Sequence, residues 1–234
     1  NSSKEVDYTV FNDNYSELDG YVKDADLGLG CGLPTEHAQI SQGDTVVDLG
    51  SGAGNDVFIA RTIVGERGRV IGIDMTEEMI IKANQNLVKL GFKNVEFKLS
   101  EIENLLLNDE IADVVISNCV LNLVPNKQKA FEEIFRILKP GAHFCVSDIV
   151  LNGELPENIR KAAAMYAGCV SGAEQEGDYI EIIKSVGFKN IEIKKSRKID
   201  LTDEMLLEYL SKDETEKFKN SGIGIFSITV VAEK

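Results

Sequence analysis

The chain has 234 residues, 43% of them hydrophobic, with 25 basic against 39 acidic side chains and a formal charge of −14. That length fits one domain with a real core, and the acidity argues against nucleic acid as a partner, because phosphate binding needs a basic face. No apolar run approaches the roughly 18–20 residues that cross a bilayer, and the opening NSSKEVDYTVF lacks the basic and apolar regions of a secretory signal. No membrane partner and a cytoplasmic location are expected.

In chain order, DNYSEL (13–18) and YVKDADL (21–27) have the composition of short helices, and the glycine-rich run LGLGCGLP follows. DTVVDL (44–49) is an apolar strand, GSGAGND a loop, and VFIARTIVG a helix that closes at Gly65. RVIGIDM (69–75) is a second buried strand. Thr76 is a good N-cap for a helix that opens with Glu77, Glu78 and Met79 and runs to Gly91. NVEFKLS and IADVVISN (111–118) make a third and fourth strand. NKQKAFEEIFRILKPG sets Ala130, Phe131, Ile134, Phe135 and Leu138 on one helix face, and Lys139-Pro140-Gly141 stops it. HFCVSDIV (143–150) is a fifth strand. Beyond Val150, LPENIRKAAAMYAGCVSGA reads as a helix from near Pro156 that breaks at Gly168 or Gly172. DYIEIIKSVGF follows as a helix, NIEIKKSRKI as a strand, TDEMLLEYL and DETEKFKN as short helices, and IGIFSITVVAEK as a closing strand. Strands alternating with helices of this length imply a doubly wound, mostly parallel α/β sheet.

Two features carry chemistry. In VVDLGSGAGND, Gly50, Gly52 and Gly54 sit at a strand-to-helix turn, where glycine lets the backbone approach a ligand. A bare tight turn has the same pattern, but Asp48 precedes the loop and Asp74 ends the next strand, placed for ribose hydroxyls. A dinucleotide fingerprint needs glycine at position 55, where this chain has Asn55. The second feature is the cysteines. Cys31, Cys119, Cys145 and Cys169 form no CxxC pair, so zinc-ribbon spacing is absent and reduced thiols are expected. Cys145 reads as core filler and Cys119 as packing beside the cleft, whereas Cys31 lies in a glycine loop that suits a partly exposed, reactive thiol. Asn122 reads as a cap for the turn before Pro125, and His37 and His143 as structural or solvated.

The Asp48 and glycine-loop pattern resembles that of class I S-adenosylmethionine (SAM) methyltransferases. LGCGLP, DLGSGAG, VIGIDMT, SNCVLNLVP, RILKPG, VSDIVL and GCVSGA, in this order over residues 28–190, narrow the resemblance to arsenite methyltransferases. The resemblance implies a seven-stranded, Rossmann-like sheet with a helical or loop cap. It also implies one domain, 1–234: an N-terminal extension and cap loop (1–43), a SAM-binding core (44–150), a substrate-side insertion (151–222) and a closing strand (223–234). The implied cofactor is SAM, as methyl donor, with Asp48 on its ammonium group, Asp74 on the ribose, and Glu101 and the Ile102 N–H on the adenine. Gly50, Ser51, Gly52, Gly54, Asn55, Asp56, Met75 and Asn118 complete the cofactor set. The resemblance further makes Cys31 and Cys169 the arsenic(III) ligands and the catalytic residues. Trivalent arsenic is thiophilic and attacks through its own lone pair, so the protein must bind and align it and needs no general base. The expected partner is a trivalent arsenical, free or as a thiol conjugate, and the oligomeric state stays open, a monomer included. Family members carry a further cysteine before the final strand, a place that falls at 222–224 here and holds none. A SAM methyltransferase of an organic molecule and a non-catalytic SAM- or metalloid-binding protein stay open as alternatives.

Overall fold

The computed structural model describes residues 14–157, 159–160 and 168–234. Seven strands form one sheet: β1 (Thr45–Leu49), β2 (Arg69–Asp74), β3 (Val95–Leu99), β4 (Ala112–Asn118), β5 (Leu138–Asn152), β6 (Lys189–Lys198) and β7 (Gly224–Glu233). Their order is β3-β2-β1-β4-β5-β7-β6. β1 to β5 pair in parallel, and β7 runs antiparallel between β5 and β6. The inner strands are runs of valine and isoleucine because helices cover both of their faces. One face packs under α4 (Lys127–Ile137) and the helix Glu176–Val186, around Phe131, Phe144 and Tyr179. The other packs under α2 (Asn55–Val64), around Val57 and Phe58.

All seven expected strands are present, and the helices expected after β1, β2 and β4 are found as α2, α3 (Glu77–Leu90) and α4. α4 buries Ala130, Phe131, Ile134 and Ile137, while Asn126 caps it by accepting from the Lys129 N–H. Several expectations need correction. Leu138 is not the last residue of the α4 face; it already pairs with Ala112 as the first residue of β5. A register shift then accommodates Pro140 and Gly141, so β5 is longer than 143–150. Thr76 occupies the N-cap of α3, yet its side chain makes no cap bond; its N–H goes to Asp74 instead. The short helices expected over 14–27 are separate turns, because the Asn14 and Asp26 carboxamide and carboxylate oxygens take the N–H groups of Ser16 and Gly28. A one-turn helix, α1 (Pro34–His37), follows the Cys31 loop without having been expected. The helix expected from Pro156 begins there, with the Arg160 N–H on the Pro156 carbonyl, while residues 158 and 161–167 lie outside the described residues. Residues 1–13, on which part of the N-terminal reading falls, also lie outside them.

The reversal of strand order falls between β1 and β4, and the crevice at the carboxyl ends of these strands is where such sheets bind ligands. Beyond that end lies a separate apolar cluster of Cys31, Cys119, Ile149, Cys169, Ile225 and their neighbours. No helix among the described residues is long and apolar enough to cross a membrane.

Candidate active site

A cleft of about 700 Å³ opens at the switch point. Its floor is the glycine loop that joins β1 to α2. The Gly50 and Ser51 N–H groups bond the Ile73 carbonyl at 2.8 and 2.9 Å, which locks the loop against the end of β2. Asp74 sits at that end. Its two oxygens accept from the Gly52 N–H at 2.9 Å and the Thr76 N–H at 2.8 Å, fixing the carboxylate with lone pairs to spare. Every residue expected to bind cofactor lines the cleft except Gly54. Gly54 has φ of +100° and a Cβ there would lie 2.8 Å from Phe97 and 2.9 Å from Phe58, so it turns the chain into α2 against those rings.

The cleft is acidic. Burial, with Asp56 and Asp74 nearby, holds the Asp48 carboxyl well above the usual range. Burial pushes Asp56 up to about 6, although Asn118 and Tyr15 donate to it. Ser51 Oγ, Asn55 Oδ1 and Asp56 Oδ1 are buried without a hydrogen-bond partner. Carboxylates beside unused acceptors suit a ligand that brings positive charge and donors.

Asn118, the last residue of β4, joins this acidic wall to the Cys31 loop. Its Oδ1 accepts from the Cys31 N–H at 3.0 Å; its Nδ2 donates to the Gly32 carbonyl at 2.8 Å, to Asp56 at 3.3 Å and to the Tyr15 hydroxyl. Tyr15 donates onward to Asp56 at 3.0 Å, and Ser227 of β7 donates to the Cys31 carbonyl. Gly32 permits this docking, since a Cβ there would sit 2.5 Å from Ser147 Oγ. The sequence alone suggests that Gly30 and Gly32 free the loop to swing. Instead, close approach is what they provide, and Cys31 is fully buried.

The thiols converge. Cys119 Sγ lies within 4.8 Å of Cys31 Sγ, and Cys169 packs in the same apolar cluster. The two expected ligands therefore share a cluster, and Cys119, expected as packing, joins it from the cleft wall. Burial raises the Cys31 thiol to about 11. The neighbouring Cys119, together with burial, raises Cys169. At Cys119 the Cys169 thiol favours the thiolate, but Cys31, burial and the nearby Asp148 outweigh it. All three are thus protonated thiols near neutral pH. Cys145 is apart, its thiol donating to the Pro34 carbonyl at 3.2 Å, and His143 meets the Ala38 carbonyl at 2.6 Å. Asn122 does more than cap a turn: its Nδ2 donates to the Ile149 carbonyl at 2.7 Å, binding the turn after β4 to β5. Tyr15 and Asp148 join the site without having been expected; a charged residue inside the apolar strand HFCVSDIV was the one available signal.

A methyltransferase-domain profile matches residues 40–198. The arsenite methyltransferase of Halobacterium salinarum is 47% identical over 169 residues, 72% of this chain and 43% of that protein. The human arsenite methyltransferase is 38% identical over 68% of this chain and 44% of its own length. The crystal structure of CrArsM, an arsenic(III) S-adenosylmethionine methyltransferase from Chlamydomonas reinhardtii, superposes with a TM-score of 0.73 at 33% identity. That match covers 88% of this chain and 67% of the other. The chain belongs to the arsenite methyltransferase family. It spans about half the length of the curated arsenite methyltransferases it matches. For a member of that family, the cleft fits SAM on its own chemistry: acids for a cationic amino-acid tail and sulfonium, and a fixed Asp74 for ribose hydroxyls.

Proposed function

We propose that this arsenite methyltransferase homologue transfers a methyl group from SAM to a trivalent arsenical bound by Cys31, Cys119 and Cys169. The observation that carries this reading is the packing of three buried thiols in one apolar cluster, with Cys119 on the wall of the acidic cleft. Arsenic(III) suits thiols that keep their protons. Each S–H exchanges with an As–OH, its proton leaves with the hydroxide as water, and the three-sulfur product is neutral in a low-dielectric pocket. Cys119 supplies the third sulfur that the sequence lacks at 222–224.

Asp48 and Asp56 take the ammonium group of SAM, Asp74 the ribose, and Glu101 with the Ile102 N–H the adenine. The bound sulfonium supplies an electrophilic methyl group. Asn118 holds the Cys31 loop and Asp56 in one network, so the arsenic pocket and the cofactor pocket keep a fixed relation, which is the alignment the reaction needs. Residues 1–234 act as one methyltransferase domain on a small molecule in the cytoplasm, without nucleic acid or membrane. The test is turnover of the purified protein with SAM, glutathione and either arsenite or methylarsonous acid, read as methylated arsenic by chromatography. Methylated product is expected; arsenic binding without product, or turnover of neither arsenical, overturns this reading.

A further inference from the structure

One buried carboxylate has no part in the chemistry so far. Asp148 lies on β5 and is 1% exposed. A carboxylate oxygen and the sulfurs of Cys31 and Cys119 all lie within 4.8 Å of one another. The Ile149 N–H donates to one of its oxygens at 3.0 Å and the Tyr179 hydroxyl to the other at 3.2 Å, which fixes its orientation. Lys127, the nearby cation, sets its own ammonium against Glu174 at 3.7 Å. Burial raises its carboxyl to about 7, because a carboxylate enclosed by thiols and aliphatic side chains is costly until it meets positive charge.

We propose that Asp148 is the counter-charge for methyl transfer, an inference that rests on the arsenical reading above. As the arsenic lone pair bonds the methyl carbon, the S–CH3 bond breaks and its electron pair stays on sulfur. Arsenic rises formally from As(III) to As(V), and its former lone pair is the new bond. No proton and no outside electron takes part. Positive charge therefore passes from the cleft into the thiol pocket. Cys119 lines the cleft and Asp148 does not, so the charge moves towards Asp148 as the bond forms. A fixed anion so placed favours the transition state over the ground state, in which the arsenic–sulfur unit is neutral.

Asp148→Asn keeps an oxygen for the Ile149 N–H and removes the charge. The variant is expected to bind arsenite with the same three thiols, read by thiol titration. Its kcat is expected to fall on the order of 100-fold, with the arsenite KM unchanged. In arsenic-free protein, calorimetry is expected to show the preference for SAM over S-adenosylhomocysteine reduced about threefold, since only SAM carries the sulfonium charge. Asp148→Glu, which retains the charge, is expected to keep that preference. Wild-type kcat and wild-type preference in Asp148→Asn overturn the proposal, as does loss of arsenite binding, which marks a purely structural residue. If the wild-type protein methylates no arsenical, the arsenical reading fails by itself, and the preference ratio still decides whether Asp148 acts on the charge of the methyl donor.

Discussion

Cys119 occupies a left-handed backbone position, φ +60°, at the carboxyl end of β4, which aims the chain out of the sheet just where the cleft begins. Such a conformation costs a non-glycine residue about 1–2 kcal/mol and is found where surroundings impose it. Here the Cys119 N–H on the Ser147 carbonyl, at 2.8 Å, holds it beside β5. Because Cys119 packs with the other two thiols and lines the cleft, Cys119→Ser is expected to weaken arsenite binding more than about tenfold while leaving SAM affinity unchanged. Cys145→Ser, at a thiol outside the cluster, is expected to leave both affinities unchanged; isothermal titration with each ligand reads both. The sequence sets Cys119 beside the cleft and Cys145 mid-strand, yet nothing in SNCVLN marks Cys119 as a neighbour of Cys31 and Cys169. Which thiol faces the cleft depends on where β4 ends, and that is settled by pairing with β5.

At the scale of elements, the pocket is made where three segments touch: the Cys31 loop, the turn after β4 and the one-turn helix Gly168–Ser171. The last contact is especially close. A Cβ on Gly172 would lie 2.0 Å from the Asn122 carbonyl oxygen, a backbone atom with no room to move aside. Gly172→Ala is therefore expected to push the Cys169 segment off the turn after β4. Arsenite is then held by two thiols instead of three, stability falls by about 1–3 kcal/mol, and SAM affinity is preserved. Thiol counting in the presence of arsenite and a denaturant melt check these outcomes. The unbroken apolar runs of β1 and β2 and the helical spacing of α4 made the core elements legible, because a strand covered on both faces is apolar throughout and a helix buries one face. The N-terminal turns were misread as helices for the opposite reason: over so few residues, one side-chain bond to the backbone outweighs helix propensity.

For the whole molecule, the acidic cleft exchanges stability for ligand binding. Burial lifts Asp56 from the carboxylate range to about 6. Between about pH 4 and 6 the folded protein therefore holds more proton at this site than the unfolded chain does, so the contribution of Asp56 to stability falls as pH rises through that window. Asp56→Asn is accordingly expected to be more stable than wild type at pH 8, by an amount on the order of 2 kcal/mol, and to lose that advantage below about pH 4. S-adenosylhomocysteine, which brings an ammonium group, is expected to raise the wild-type Tm at pH 8 more than it raises that of Asp56→Asn. Calorimetric melts at the two pH values test the sign.

The sequence by itself determined the alternation of strands and helices, the glycine loop after β1 and the acids that flank it. These are local properties, set by side-chain periodicity and by the few residues of one turn. Only the tertiary structure decided that Cys31 is docked and buried, that Cys119 and Cys169 pack in the same cluster, and that Asp148 stands beside Cys31 and Cys119. Cys31 meets Asn118 across 87 positions of sequence, a contact that exists because the loop before α1 docks against β4, β5 and β7. No pattern within either segment encodes that contact.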